Sequence, residues 1–251
     1  MVPFGSRLLP VCISHGRVSP VFQFSRATTG FEKYFGVGPH YRWADDQGAA
    51  EDSMISRVRQ IPVGQNPEDV MRDLVGDRDV VWSNHQQVMD YLYETMEKIP
   101  DIEGIIGYSE GAAIAATLIL DEQRRFEETG RERRIKCAMF VTGWPPIDPA
   151  EGVILADESE LMVDVPTLHV VGANGTVPSP PIYGLLWLQL MVRCRVDPFR
   201  HGAYALYNVC DPDTAVFFDT GKGHTIPRSG MVITELGDAV RGLMQLAHPE
   251  F

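Results

Sequence analysis

One serine in the sequence has the surroundings of a nucleophile. Ser109 lies at the centre of G-Y-S-E-G, residues 107–111, which has the pattern G-x-S-x-G. The apolar residues Ile105 and Ile106 precede it as the end of a strand, and an alanine-rich run from Ala112 follows it as a helix. A sharp turn between strand and helix would expose the serine oxygen and direct helix N–H groups towards a nearby anion. The pattern therefore predicts a nucleophilic serine, and both glycines must be small for the turn to close.

A nucleophilic serine needs a general base, and His224 is the best candidate among the seven histidines. It ends D-T-G-K-G-H, residues 219–224, a glycine-bearing loop after the apolar run 215–218. A histidine in a loop after the last strand can reach a serine at the same edge of the sheet. His169 lies within an apolar run, so it is expected to be a packed core residue. Four further histidines are expected in loops (His40, His201), at a helix start (His85) and in the C-terminal tail (His248).

The elements that must position these residues alternate along the chain. Strands are predicted at 104–107, 137–143 and 165–171, and a helix at 111–128. A further helix, packed on the sheet, is predicted from the i, i+3 and i+4 spacing of Val88, Tyr91, Leu92, Thr95 and Met96. This alternation indicates an α/β fold, a mostly parallel sheet with helices on both faces. Residues 44–80 are acidic and interrupted by glycine and proline, so they are expected to lie at the surface, outside the core.

Several segments together resemble the fungal serine hydrolases of the FSH type. They are residues 107–111, V-P-T-L-H-V-V-G at 165–172, and residues 219–224. G-P-H-Y-R-W at 38–43 is similar to the G-P-x-Y-x-W segment of these proteins, and the resemblance runs from about Phe35 onward. It implies a single α/β-hydrolase domain over residues 1–251 with a Ser-Asp-His triad. The family includes esterases and thioesterases found beside polyketide synthases, such as the thioesterase that releases the lovastatin nonaketide.

The resemblance also assigns the acid of the triad. In the family it follows the strand with the spacing G-x-x-D, but here Gly175 occupies the aligned position after Gly172. Removing residues 175–196 would join Asn174 to Asp197 and restore the spacing, so Asp197 is the predicted acid. The removed segment has no acidic residue and contains an apolar run. We interpret it either as a retained small intron or as an insertion that forms an apolar lid over the site.

Two backbone N–H groups are expected to stabilise the oxyanion. The N–H of Glu110 directly follows the nucleophile and is the first donor. Family members begin with a strand ending in L-H-G, whose following N–H groups help to form the hole. V-C-I-S-H-G at 11–16 resembles that segment, so the second donor is assigned near Gly16. Fewer residues separate this segment from Gly38 than the family's second strand and its loop would need.

Composition limits the partners and the compartment. A chain of 251 residues with 44% hydrophobic content can bury one sizeable core. The net charge of −12 argues against nucleic acid or an anionic membrane as a partner. Four cysteines without paired or metal-binding spacing suit a reducing compartment, so a cytoplasmic location is expected. No cofactor or metal site is expected, because the sequence has neither a glycine-rich phosphate loop nor a Cys/His cluster.

Two further segments each have two interpretations. Arginines and glutamates alternate over residues 122–134, which indicates a solvated helix end or, alternatively, a docking patch for an acidic carrier protein. W-P-P at 144–146 follows a predicted strand and would either line a substrate channel or anchor a loop. These segments alone do not select a substrate.

Three functions are compatible with the sequence. The first is a thioesterase or esterase that releases or edits a polyketide, with the acyl carrier protein of a polyketide synthase as a partner. The second is a general carboxylesterase for small acyl esters. The third is a catalytically inactive hydrolase that serves as an accessory protein. In the first two, His224 would remove the proton of Ser109 while Asp197 orients the imidazole.

Overall fold

The computed structural model describes residues 7–11, 25–26, 41–43, 66–75, 82–172, 199–221, 223 and 230–249. The strands are β1 (Arg7–Val11), β2 (Ser25–Arg26), β3 (Tyr41–Arg42), β4 (Ile102–Tyr108), β5 (Cys137–Val141), β6 (Ile147–Asp148), β7 (Gly152–Val153), β8 (Thr167–Val171) and β9 (Ala215–Asp219). The helices are α1 (Pro67–Val75), α2 (His85–Lys98), α3 (Glu110–Thr129), α4 (Arg200–Asn208) and α5 (Gly230–Ala247). None of the helices in these ranges combines the length and the apolarity needed to cross a bilayer.

Five of the described strands form a parallel sheet in the order β1-β4-β5-β8-β9. Val11, the last residue of β1, pairs with Gly107 of β4, and Val171 of β8 pairs with Asp219 of β9. Because parallel strands run in one direction, their carboxyl ends meet at a single edge of the sheet. We call this the carboxyl edge. It receives the chain after β1, β4, β5, β8 and β9.

Helices cover both faces of this sheet, as predicted. In β5, Ala138 and Phe140 belong to a buried cluster that includes residues of α2 and α3. Cys137 and Val141 belong to a second cluster with Leu243 of α5. Successive side chains of a strand point to opposite faces, so the two clusters lie on opposite sides of the sheet.

Helix α3 lies close to the sheet because its first half is built from small residues. Its buried side chains at 112, 113, 115 and 116 are all alanine. The helix ends at Gly130, which has a φ of 71° and whose N–H donates to the Phe126 carbonyl at 2.8 Å. Glycine favours this left-handed C-terminal turn because it has no Cβ.

The predicted boundaries of the main elements are confirmed to within two residues. The strands predicted at 104–107, 137–143 and 165–171 are β4, β5 and β8. The helix predicted at 111–128 is α3, and the apolar residues from Val88 to Met96 lie in α2, which begins at His85 as expected.

The expectation that residues 44–80 lie outside the core is wrong for α1. Val70 and Met71 have no exposed surface, and Leu74 is also buried. They pack with Leu155 and Ala205, the latter in α4. The acidic composition of the segment obscured an apolar stripe of only three residues, which becomes part of the core through contacts with distant parts of the chain.

The start of α1 did carry a recognisable signal. Asn66 precedes the helix, and its side-chain Oδ1 accepts a hydrogen bond from the Glu68 N–H at 3.0 Å. Pro67 occupies the first helical position, where its missing N–H costs nothing. An Asn-Pro pair followed by acidic residues is therefore a helix start here rather than a surface turn.

Several arginines near the end of α3 bind carboxylates of the protein. The buried Asp121 accepts hydrogen bonds from Arg124 and from Arg125 Nε, the latter at 2.7 Å. Arg133 binds both oxygens of Asp164, at 2.5 and 2.6 Å. These contacts favour the solvated helix end, in which arginines are paired with carboxylates of the same chain. Docking of a carrier protein there stays a prediction.

Candidate active site

Ser109 occupies the turn between β4 and α3 in a conformation that few non-glycine residues adopt. Its φ is 54° and its ψ is −120°. Such a backbone is strained for an L-residue and persists only where the surroundings enforce it. The Ser109 N–H donates to the Val141 carbonyl at 2.9 Å, and the Ser109 carbonyl accepts from the Ala112 N–H at 3.0 Å. These bonds hold the serine in the strained strand-turn-helix geometry of a nucleophile elbow.

Gly107 allows the turn to close. A Cβ at this position would lie 2.4 Å from the Ala112 Cα and 2.6 Å from the Gly111 carbonyl oxygen. Both are backbone atoms, so no rotation of a side chain could relieve the overlap. The predicted requirement for a small residue is therefore confirmed at Gly107.

The chain after β5 packs tightly beside the elbow. Thr142 also has a positive φ, 47°, and its N–H donates to the Val170 carbonyl at 2.8 Å. At the next residue, Gly143, a Cβ would lie 2.7 Å from both the Ala112 Cβ and Leu206 Cδ2. Helices α3 and α4 thus approach the same point of the carboxyl edge.

Trp144 anchors the loop that follows. Its half-buried ring lies 5.9 Å from the Phe199 ring, and the next two prolines are buried. The Pro146 carbonyl accepts a hydrogen bond from the Ile154 N–H at 2.9 Å. These contacts favour the anchored loop over a channel lining.

The chain after β9 leaves from the same edge as Ser109. The Thr220 N–H donates to the Val171 carbonyl at 2.8 Å, and Gly221, with a φ of 62°, donates its N–H to Asp219 Oδ1 at 2.8 Å. His224 lies outside the described residues. Strands β4 and β9 are separated by β5 and β8, a span of about 14 Å. The position of His224 relative to the serine therefore stays a prediction.

The acid predicted at Asp197 also lies outside the described residues, as does the segment 175–196. The described chain resumes at Phe199, two residues later, beside Trp144. A Cβ at Gly202 would lie 3.2 Å from the Gly143 carbonyl oxygen, so the start of α4 packs against the carboxyl edge. Phe199, which directly precedes α4, therefore lies near the end of β5, one strand from Ser109.

Of the two predicted oxyanion donors, Glu110 belongs to the described residues and Gly16 does not. Glu110 is the first residue of α3, so its N–H belongs to the amino end of a helix that follows the nucleophile. Gly16 lies outside the described residues. It follows β1 by five residues, and β1 pairs directly with β4, the strand that leads to Ser109. The second donor stays a prediction.

His169 is a core residue, as expected. Only 1% of it is exposed, and its Nε2 lies 3.0 Å from Thr167 Oγ1. Its ring packs between Phe140 and Tyr207. Burial lowers the pKa of His169 to about 3, so the ring is neutral at physiological pH. It lies within β8 rather than at the carboxyl edge, which removes it as a base for Ser109.

The expectation that His201 lies in a loop is wrong. It lies in the first turn of α4 and is 7% exposed. Burial, together with the charge of Arg200, lowers the pKa of His201. The local sequence pattern did not indicate helix α4, because a helix of only nine residues that contains glycine has a short apolar stripe. His40 lies outside the described residues, and His248 directly follows α5.

The sequence did not reveal a contact between the elbow and the G-P-H-Y-R-W segment. The Trp43 N–H donates to Glu110 Oε2 at 3.0 Å, and Asn84 Nδ2 donates to the Trp43 carbonyl at 2.9 Å. These residues lie 67 and 41 positions from Trp43. The motif at 38–43 indicated that the segment matters, but no local pattern indicates which side chains bind it.

A parallel α/β sheet with a strained serine between a strand and a helix defines the α/β-hydrolase fold, as predicted. The sequence model of the serine hydrolase (FSH1) family matches residues 75–236. The chain belongs to this family of serine hydrolases.

Similar proteins are found among fungi. The chain is 32% identical over 156 residues to Hydrolase phiM of Talaromyces stipitatus, covering 60% of this chain and 54% of that protein. It is also 32% identical over 144 residues to Hydrolase phiM of Fungal sp. (strain ATCC 74256), covering 56% and 64%. The match thus spans less than two thirds of either relative.

The similarity of this chain to solved structures is weaker. A carboxylesterase from Mesorhizobium loti is 16% identical, with a TM-score of 0.32 over 81% of this chain and 69% of that one. A likeness of this size supports no inference about activity.

The elbow geometry predicts that Gly107→Ala abolishes the native fold around Ser109, because its Cβ would overlap backbone atoms. Gly242→Ala is the matched control, since it lies in α5 and a Cβ added there would meet open space. The control should leave stability unchanged or raise it by about 0.5–1 kcal/mol. Circular dichroism melts and serine-probe labelling would measure both. A Gly107→Ala protein that labels and melts like wild type would contradict the assigned turn.

Proposed function

We propose that the protein hydrolyses an acyl ester or thioester through an acyl-enzyme on Ser109. The observation that carries this proposal is the strained backbone of Ser109 at the amino end of α3. Strain of this kind is maintained at functional sites, where it presents a reactive group. It therefore weighs against the inactive accessory protein. Membership of a serine hydrolase family agrees with this proposal.

Three side chains would perform the chemistry. His224 removes the proton of Ser109 Oγ as the oxygen attacks the acyl carbonyl, and then donates it to the leaving alcohol or thiol. Asp197 holds the imidazole in the required tautomer and stabilises its charged form. His224 then removes a proton from water as the water oxygen attacks the acyl-enzyme carbonyl. It returns that proton to Ser109 Oγ as the bond between Oγ and the acyl carbon breaks, which releases the carboxylic acid and restores the free enzyme.

The negative charge of the tetrahedral intermediate would be stabilised by backbone N–H groups. The Glu110 N–H is one donor and an N–H near Gly16 is the other. Each such donor typically contributes about 3 kcal/mol to stabilisation of the transition state. The pairing of β1 with β4 supports this assignment, since it directs both segments to one edge.

We further propose a polyketide thioester, bound to the carrier protein of a polyketide synthase, as the substrate. The support is the resemblance of residues 107–111, 165–172 and 219–224 to a family that includes thioesterases found beside such synthases. The triad alone would serve an ester equally well, so a general carboxylesterase is the alternative. One domain, working without a cofactor or metal, suffices for either reaction.

Ser109→Ala and His224→Ala should each lower kcat by about 10⁶-fold, and the double variant should lose no more, because triad members act as a unit. His248→Ala is the control. Its Nε2 lies 3.6 Å from Glu103, about 20 Å along β4 from Ser109, so its activity should equal wild type. Steady-state hydrolysis and fluorophosphonate labelling measure these effects. Hydrolysis retained by pure Ser109→Ala protein would exclude this nucleophile.

The substrate proposal predicts that kcat/KM for an acyl thioester on a carrier protein exceeds that for the matching p-nitrophenyl ester by more than tenfold. Binding of the carrier protein supplies the preference, since the acyl group is the same. Ester hydrolysis that matches or exceeds thioester hydrolysis would indicate a general carboxylesterase. Fluorophosphonate labelling without turnover of either substrate would point to a different acyl substrate.

Deletion of residues 175–196 should preserve folding and turnover, because it brings Asp197 to the family spacing after Gly172. In the deleted form, Asp197→Ala should lower kcat by about 10⁴-fold, as loss of a triad acid does. Asp213→Ala, an exposed carboxylate before β9, is the matched control and should have no effect. If the deletion variant folds but is inactive while the full-length protein is active, the segment is a functional lid. If the sequenced transcript still contains the codons for residues 175–196, the retained-intron interpretation is excluded.

A further inference from the structure

Two side chains, one at the start of α3 and one at the N-cap position of α2, bind the backbone of Trp43. Its N–H donates to Glu110 Oε2 at 3.0 Å, and its carbonyl accepts from Asn84 Nδ2 at 2.9 Å. Glu110 begins α3, and Asn84 precedes α2. The Trp43 side chain is 7% exposed, and its ring lies 6.1 Å from that of Tyr91 in α2. Trp43 is therefore fixed by its backbone as well as by its ring.

The Asn84 side chain makes this contact instead of a helix-capping hydrogen bond. It occupies the N-cap position of α2, where asparagine normally accepts a hydrogen bond from an N–H of the first turn. Its side chain makes no such capping bond here. The side-chain amide instead donates to the Trp43 carbonyl, while the Asn84 backbone carbonyl accepts the first hydrogen bond of α2 from the Val88 N–H at 3.1 Å.

Glu110 places a carboxylate one residue after the nucleophile. Negative charge develops on the oxyanion beside this residue in the proposed reaction, and a loosely held carboxylate there would oppose it. The Trp43 N–H gives the carboxylate a charge-assisted hydrogen bond, which is stronger than a neutral one. The bond fixes the Glu110 side chain and thereby restrains the Glu110 peptide, the proposed oxyanion donor.

We propose that the Glu110 carboxylate and the Asn84 amide are positioning residues that clamp Trp43 to the start of α3 and hold the elbow in its reactive geometry. This inference rests on the proposed hydrolase function. It also gives the motif at 38–43 a physical task, because Trp43 is the last residue of that motif. The clamp connects a segment far from Ser109 in sequence to the peptide that follows it.

Three variants separate the clamp from a merely structural contact. Glu110→Ala removes the bond and should lower kcat about tenfold with little change in KM, because positioning acts on the transition state. Glu110→Gln keeps an acceptor oxygen without the charge and should recover most of that loss. Asn84→Ala removes the other bond and should also lower kcat. The control, Glu94→Ala, removes an exposed carboxylate in α2 and should match wild type. Rates are expressed per fluorophosphonate-titrated site.

Hydrogen exchange of the Trp43 amide tests the clamp without any substrate. Exchange should accelerate about tenfold in Glu110→Ala and return towards wild type in Glu110→Gln. Equal exchange and equal kcat in wild type and Glu110→Ala would overturn the clamp. Were Glu110→Ala unable to fold, a wild-type kcat in Asn84→Ala would overturn it. Absence of Ser109-dependent turnover in wild type would instead refute the proposed function, while the exchange result would still decide whether the clamp exists.

Discussion

The backbone of Ser109 is the constraint on which the rest of the structure depends. A φ of 54° is unfavourable for serine, and the chain adopts it because β4 and α3 meet at a very short distance. Gly107 permits that distance, since any Cβ there would reach the backbone of Ala112. The N–H of Ser109 is also bound to β5 through the Val141 carbonyl. The strain at the nucleophile is thus balanced by packing and hydrogen bonding on two neighbouring strands.

The same close approach organises the surrounding edge of the sheet. Gly143 fits between Ala112 and Leu206, which lets α3 and α4 converge beside the end of β5. The start of α4, which Asp197 precedes, is thereby directed to the edge that holds Ser109. A larger residue at Gly143 would separate these helices. Small side chains at a few positions therefore determine whether distant parts of the chain can meet here.

Patterns read along the chain predicted the elements well where periodicity was strong and failed where it was short. The run ending at Val171 predicted β8 with His169 inside it, because a strand buried on both faces is continuously apolar. Helix α1 and the helical position of His201 were missed. Each depends on a few apolar residues whose burial is decided by α1 packing against α4. Acidic or glycine-containing composition is a weak guide when the tertiary contact supplies the stability.

The sequence by itself determined the type and approximate bounds of the main elements and the choice of Ser109 as the proposed nucleophile. Those properties depend on local spacing, as in the G-x-S-x-G turn between an apolar strand and an alanine-rich helix. Only the tertiary structure decided the strand order β1-β4-β5-β8-β9 and the binding of Trp43 by Asn84 and Glu110. The physical reason is the large separation in sequence between the residues that make contact. Hydrogen bonds between residues 41 and 67 positions apart depend on how the helices pack, and no local pattern contains that information.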